Sequence, residues 1–465
     1  MKNYLIRARG AAAAIAVAAA GLMLGACNAQ HELLQPQQPG VILPSAISSA
    51  TAADALYAGA MAKWNQAMNF GTGNNQEGLW NWEALFTDEL RSSDTFSQRN
   101  DDDQRNLATN DGVLTPIYQQ AQQARGRARD AINALLKYDT TPTGQQHIGE
   151  MYLAMGYVEM EMSAVFCNGI PFGETVNNVP QYTQPLMDAD GSKLASARID
   201  TALTYLTGSD AGTTNIKNAA LITKARALVD LGQFAQAAAL VTGIPTSFQY
   251  NFNYSQTTFD NEWWVMGPSV KRYNAGDSVD VGGRILNAIP FAELGDPRVM
   301  VSHAGVGAGE DGHSDYFPVG NYGRDDPVAV ASGIDARLIE AEAKLQGGDI
   351  AGMMTILNAL RTSPEVIGVM KVPAMAALPT PPDQPSAVQL FFREKALWQF
   401  ERGYRMDDLR RMVRQYHLAQ NQVFPTGPFV RNGTPSGNFG TQVAFPVPDY
   451  EMVNPNFHGC IDTNA

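Results

Sequence analysis

The densest run of groups able to exchange protons is Arg393-Glu394-Lys395-Ala396-Leu397-Trp398-Gln399-Phe400-Glu401-Arg402-Gly403-Tyr404-Arg405-Met406-Asp407-Asp408-Leu409-Arg410-Arg411. Glu401 and Asp408 could serve as the acid and base of a hydrolase, which needs two carboxyls held in different environments. The competing reading is structural: Leu397, Phe400 and Tyr404 form one apolar stripe, and the charges between them pair along or across helices. The structural reading is favoured, and on it Glu401 and Asp408 each hold a charged partner. Elsewhere, Gly307-Ala308-Gly309-Glu310-Asp311-Gly312 has glycine spacing reminiscent of a nucleotide loop, but no strand and helix patterns flank it. Glu310, Asp311 and Asp315, and separately Asp101, Asp102 and Asp103, lack the spacing of an EF-hand and read as solvated acidic loops. The six histidines are scattered, and no Gly-x-Ser-x-Gly elbow occurs. The sequence therefore offers no catalytic residues, no metal site and no cofactor, and makes no positive case for an enzyme.

Cysteine chemistry is more specific. Lys2, Arg7 and Arg9 precede an apolar, small-residue run from Ala11 to Leu24, the length of a signal-peptide core and short for a bilayer span. It ends in Leu24-Gly25-Ala26-Cys27, which resembles a lipobox, where the thiol after the cleavage site receives diacylglycerol. Residues 1–26 read as a lipoprotein signal peptide and Cys27 as the lipid attachment site. Each buried methylene contributes about 0.8 kcal/mol, so two or three acyl chains hold durably where one is marginal. Asn28, in place of the Asp that retains many lipoproteins at the inner membrane, favours the outer membrane. An ordinary secretory signal with an incidental Cys, or a helical anchor that stays attached, is the alternative. Of the three cysteines, Cys167 and Cys460 remain as a disulfide in an oxidising compartment or as two separate buried thiols; pairing is preferred. A net charge of −13 argues against nucleic-acid binding.

Aromatic residues in polar surroundings are the other functional clue. Trp80 and Trp82 stand among Asn81, Glu83, Asp88 and Arg91. Trp263 and Trp264 lie in an irregular stretch with Tyr254, Tyr273, Tyr316 and Tyr322. Flat rings suit the apolar C–H faces of sugars, so Trp80, Trp82, Trp263, Trp264, Tyr316 and Tyr322 are candidate ligand-binding residues; the loops holding the four Trp are expected to converge on one exposed face, with Tyr316 and Tyr322 as the place to look otherwise. Burial as loop anchors is the alternative. Trp64 and Trp398 sit within helical patterns and read as core.

The elements that must carry these residues are mainly helices. Residues 27–50 are Pro- and Gln-rich and read as a tether. Helical periodicity covers Asp54–Met68, Leu114–Lys137, Gln145–Phe166, Ser192–Leu206, Lys217–Val241, Gly333–Leu345, Asp349–Leu360 and one long segment, Ser386–Gln415. Gly71–Asn110 reads mostly as loop. Residues 243–332, rich in Gly, Asn, Tyr and Pro, form a loop-rich insert between scaffold segments 51–242 and 333–420. Ala225–Val241 aligns without gaps on Ala341–Leu357, each with Ala-rich faces and a Gly at the turn. That is the layout of tetratricopeptide-like repeats. The expected fold is mainly α, a tetratricopeptide-like helical-repeat scaffold with an irregular, loop-rich ligand-binding portion, occupying 51–465.

In order along the chain, several pieces resemble the SusD/RagB family of outer-membrane nutrient-binding lipoproteins. They are the lipobox; Ala55-Leu56-Tyr57-Ala58-Gly59-Ala60; Phe166-Cys167-Asn168-Gly169-Ile170-Pro171-Phe172; Asp296-Pro297-Arg298; Arg337–Ala343; the run Arg393–Arg411, similar to the family's "RE…LAFEG.R..DLRR"; Phe445-Pro446-Val447-Pro448; and Asn454-Pro455-Asn456. The resemblance spans nearly the whole chain beyond the leader. It implies the helical scaffold and ligand-binding loops, and a TonB-dependent outer-membrane barrel of the SusC type over which the lipoprotein acts as a lid. The expected function is capture of a nutrient, a glycan or oligosaccharide, at the surface-facing side of the outer membrane, followed by delivery to that barrel. A helical-repeat envelope scaffold and a lipid-anchored glycan hydrolase are the rival readings.

Overall fold

The computed structural model describes residues 47–69, 77–176 and 179–465. The signal peptide, Cys27 and nearly all of the tether lie outside the described residues. Thirteen α-helices occur among the described residues, and most begin where the chain supplies a side-chain cap. Ser49 caps α1 (Ala50–Met68). Thr141, followed by Pro142, caps α5 (Pro142–Val165), which follows α4 (Leu114–Tyr138). Asp210 caps α7 (Ala211–Asp230), which follows α6 (Asp188–Tyr205). In each case an oxygen accepts from a first-turn N–H that has no partner inside the helix. The long helices pack in series, α1 on α4, α4 on α5, α5 on α6 and α6 on α7.

The internal repeat has a physical signature in its turns. Helix α7 passes to α8 (Phe234–Val241) through Gly232 at φ +72°, with Gln233 N–H donating to Leu228 O and Gly232 N–H to Val229 O. Helix α10 (Gly333–Gln346) passes to α11 (Ile350–Thr362) through Gly348 at φ +75°, with Asp349 N–H donating to Lys344 O and Gly348 N–H to Leu345 O. Both are Schellman turns, which need a left-handed residue that glycine supplies without a Cβ clash. The two hairpins pack on each other, α8 against α10. The scaffold is a tetratricopeptide-like helical repeat.

Between them lies the irregular portion, tied at its ends where Gln249–Phe252 pairs antiparallel with Val328–Ser332. All eight sheets found among the described residues have two strands. The disulfide Cys167–Cys460, with Cα atoms 5.9 Å apart, fastens the C-terminal segment to the end of α5. Beside it Asn168 Nδ2 donates to Asp462 Oδ1 at 2.8 Å.

Two expectations from the sequence need correction. Within Gly71–Asn110, read as mostly loop, the described residues 77–110 hold two helices that the sequence reading did not expect, α2 (Leu79–Phe86) and α3 (Ser97–Asp103). Ser386–Gln415 is not one helix but α12 (Gln384–Trp398) and α13 (Arg405–Arg414). The break holds Glu401 at φ +57° and Gly403 at φ +71°. A Cβ on Gly403 would lie 1.9 Å from Trp80 Cδ1, so the chain leaves helical geometry where the indole presses against its backbone.

The charged run around this break is scaffold. Arg298 is fully enclosed and reaches both Asp296 and Glu394, the latter at 2.7 Å. Arg361 also bonds Glu394, at 2.9 Å. Arg402 grips Asp335 of α10 with two nitrogens, at 3.1 and 2.6 Å. Arg411 bonds Glu342 of α10 at 2.5 Å and Asp408 at 2.6 Å, and Lys395 bonds Asp408 at 2.6 Å. Arg410 donates to the carbonyls of Ser163, Ala164 and Phe166 at 3.2, 2.6 and 2.9 Å, a cation placed where the end of α5 carries negative partial charge.

Glu401 departs from the expected pairing. Its neighbour is another acid: Glu89 accepts from the Glu401 backbone N–H, and burial together with the Glu89 charge pushes the Glu401 carboxyl well above the usual range. A raised folded-state pKa means that this group supports folding below its unfolded pKa and opposes it as pH rises toward the folded value. Glu401→Gln, which removes the charge and keeps the shape, should therefore leave stability near pH 5 unchanged and raise it at pH 8. Asp408→Asn should cost roughly 1–3 kcal/mol at both, since Lys395 and Arg411 lose a buried partner. Denaturant unfolding at the two pH values reads both; a loss of stability in Glu401→Gln at pH 8 would reveal a cation on that carboxylate.

Candidate functional site

The six aromatic candidates do not form an exposed platform. Trp80 and Trp82 lie on α2 and are wholly enclosed. The Trp80 ring packs against Phe252 with centroids 5.6 Å apart and against Gly403. The polar neighbours that suggested a loop are themselves bonded inside: Asn81 Nδ2 donates to Asn69 Oδ1 at 2.8 Å, and Glu83 Oε1 accepts from Met406 N–H at 2.8 Å. Trp263 is buried, and Trp264 is half-buried beneath the Arg324 guanidinium, 5.4 Å from its ring centroid. Tyr316 and Tyr322 are also buried, and the Tyr316 hydroxyl donates to Gly267 O at 2.8 Å. Polar sequence company thus marks internal hydrogen bonding, not exposure, and these residues anchor the irregular portion to the scaffold.

The acidic groups are likewise engaged, and Asp101, Asp102 and Asp103 are not a solvated loop: they close α3, with Asp102 and Asp103 buried. Asp311 accepts from the His313 and Ser314 backbones, both at 2.9 Å, Glu310 from Thr95, and Asp103 from Ser92 N–H at 2.8 Å. Burial raises the Asp103 carboxyl to about 7 and that of Glu89 to about 7 as well. Among the described residues no group of three or more His, Cys, Asp or Glu is placed to hold a metal ion.

A different place has the features of a binding site. One face of α4 faces a hairpin, Glu174–Val176 with Val179–Gln181, and the turn Asp449–Val453. Together they enclose a cleft of about 430 Å³, within the range of small-ligand sites. Its floor is braced. Arg125, buried, bonds Glu159 at 2.9 Å, Gln122 Oε1 at 2.7 Å and the Gly173 carbonyl at 3.3 Å. Gln122 Nε2 in turn donates to the Tyr118 hydroxyl and the Pro171 carbonyl, both at 3.0 Å. Arg129 pairs with Asp130 at 3.0 Å and approaches Glu174 at 3.8 Å. Burial pushes the Glu451 carboxyl upward.

Around this floor, Gln119, Gln123 and Arg127 line the cleft with side chains that make no hydrogen bond or ion pair among the described residues. Two tyrosines complete it, Tyr182 at 46% and Tyr450 at 53% exposure. Free amides, one free guanidinium and two open aromatic rings can hydrogen bond and stack at once. Sequence reasoning missed all five. The available signal was the stripe Gln119, Gln122, Gln123 and Gly126, at helical spacing but poor in the opposite-charge pairs that usually solvate a helix face.

No protein-family model and no curated protein sequence matches the chain. Solved structures do. A SusD-like carbohydrate-binding protein from Bacteroides vulgatus shares 12% identity at a TM-score of 0.60, covering 88% of this chain and 98% of its own. A SusD/RagB family protein from Bacteroides thetaiotaomicron shares 12% at 0.58, covering 87% and 94%. A laminarin-binding SusD-like protein shares 14% at 0.61, covering 89% and 99%. The chain has the SusD-like fold, as the resemblance of Arg393–Arg411 and its companions implied.

Placing the tryptophans inside has a direct consequence. Trp80→Ala or Trp82→Ala should cost about 3–5 kcal/mol of stability through the cavity each leaves. Thermal unfolding of either variant within a degree of the unaltered protein would put that indole back at the surface.

Proposed function

We propose that this chain is a lipid-anchored capture protein of the outer membrane that binds a glycan or oligosaccharide and passes it, without covalent chemistry, to a TonB-dependent SusC-like barrel. The observation that carries this reading is the fold. Nearly nine-tenths of the chain superposes on structures that include SusD-like carbohydrate-binding proteins, one of them laminarin-binding. The lipobox at Leu24–Cys27 supports the anchor, and Asn28 supports the outer membrane as destination. Among the described residues no helix is long and apolar enough to cross a membrane. A non-catalytic role agrees with the placement of Glu401 and Asp408, the acid–base pair a hydrolase reading would use, which are 3% and 2% exposed and out of reach of a substrate.

The barrel partner is tested by affinity purification of the tagged lipoprotein from outer membranes, with a plugged barrel of the SusC type as the expected companion. The anchor is tested by Cys27→Ser. This change should abolish acylation and move the protein from the membrane to the soluble fraction, because two or three acyl chains are the attachment being removed. Retention of Cys27→Ser protein in membranes after a high-salt wash would show an uncleaved leader or a second anchor.

A further inference from the structure

We infer that the cleft between α4, the hairpin 174–181 and the turn Asp449–Val453 is an oligosaccharide subsite that selects uncharged glycans, with Tyr182 and Tyr450 as its stacking faces. The inference rests on the glycan-capture reading above and assigns it a place and a ligand class.

Its chemistry is that of sugar recognition. A pyranose ring offers apolar C–H faces and a rim of hydroxyls, each both donor and acceptor. Tyr182 and Tyr450 lie open in the cleft wall, and an exposed aromatic ring gains most when a flat apolar face covers it. Gln119 and Gln123 each bring a donor and an acceptor with no internal partner, matching hydroxyls that need both. Arg127 adds donors at the rim. Gly126 lies in the interior of α4 and lines the same floor, and the space where its Cβ would stand is open to 4 Å. Glycine there costs the helix about 1 kcal/mol relative to alanine and leaves the floor bare for a ring to lie on.

Charge decides the class. The cleft carries three cations, Arg125, Arg127 and Arg129, and three acids, Asp130, Glu174 and Glu451. Arg125, Arg129 and the neighbouring Arg198 share three acids, Glu159, Asp130 and Glu174. Only Arg127 is left over, on a protein of net charge −13. A polyanionic glycan, sulfated or rich in uronic acid, would meet one free cation and a repelling field. A neutral glycan meets neither penalty.

The test begins with the purified protein on an array of neutral and acidic plant, fungal and host glycans, followed by calorimetry on the best binder. The expected result is a neutral oligosaccharide whose affinity changes less than about twofold between roughly 0.05 and 0.5 M salt. Tyr182→Ala and Tyr450→Ala should each weaken it about tenfold or more with the melting temperature held, since both rings are half exposed. Gly126→Leu should weaken it too while the helix is undiminished, and this variant reads the cleft even if a tyrosine change disturbs folding. Val306→Ser, at a highly exposed position outside the cleft, should change nothing. Undiminished neutral-glycan binding by all three cleft variants overturns the cleft and leaves glycan capture standing. Preference for a polyanion with steep salt dependence overturns the selectivity. Binding to no glycan on the array overturns this inference together with the reading it rests on.

Discussion

The structure depends on buried guanidinium–carboxylate contacts radiating from one short segment. Between Glu394 and Arg411 the chain touches the irregular portion through Arg298, α10 through Asp335 and Glu342, and the end of α5 through three carbonyls. Helix α13 lies against both α2 and α5. Ion pairs of this kind are poor sources of net stability, because removing both charges from water costs about what their attraction returns. Their value lies in geometry: an Arg fork accepts a carboxylate in few orientations, so each pair fixes one element against another. The neighbouring burial of apolar side chains supplies the driving force, and the forks choose the arrangement.

The same segment faces a second electrostatic regime. Around α2 and α3 the acids Glu83, Asp88, Glu89, Asp102, Asp103 and Glu401 are all enclosed and all shifted upward, chiefly by burial. Acids on the α10 side, Asp335 and Glu342, are instead held below their usual values by Arg402 and by Arg411 with Lys395. The two sets pull in opposite directions with pH. The paired acids support folding once ionised and lose that support as pH falls through their low folded values. The upward-shifted acids support folding while protonated and lose that support as pH rises toward their folded values, about 7 for Glu89 and for Asp103.

Much of the scaffold was legible in the sequence because its signals are local. Helical periodicity locates the helices, and the paired glycine turns at Gly232 and Gly348 mark the repeat; the helices capped by Ser49, Thr141 and Asp210 start three to six residues ahead of where periodicity becomes visible. The aromatic site was not legible. Trp80 and Trp82 sit among Asn, Glu and Asp, and polar company is read as exposure; yet Asn81 and Glu83 find their partners at Asn69 and Met406, one of them more than three hundred residues away. Glu401 was misread for a related reason. Alternation of charge along a helix predicts pairing only while the helix continues, and this one breaks under Trp80. The cleft escaped notice because its walls come from residues 119–130, 173–182 and 450–454, which no periodicity links.

Walls so far apart in sequence make a rigid cleft only where bonds cross between them. Its three walls are fastened to one another, not merely adjacent. Asn454 reaches across to the Thr183 carbonyl at 3.3 Å, and Asp449 N–H donates to Thr109 O at 2.9 Å, just before α4. The backbone of Phe445 exchanges hydrogen bonds with Val165 and Cys167, both at 2.8 Å, and the disulfide at Cys167 holds the same segment from its far side. The hairpin wall is tied to the floor by Arg125 through the Gly173 carbonyl. A ligand entering such a cleft orders little besides the rims of Gln119, Gln123, Arg127, Tyr182 and Tyr450. Binding energy lost to ordering loops elsewhere is retained here. An oligosaccharide offers few strong contacts per unit area, so its binding depends heavily on that economy, and a receptor built from pinned helices meets the requirement.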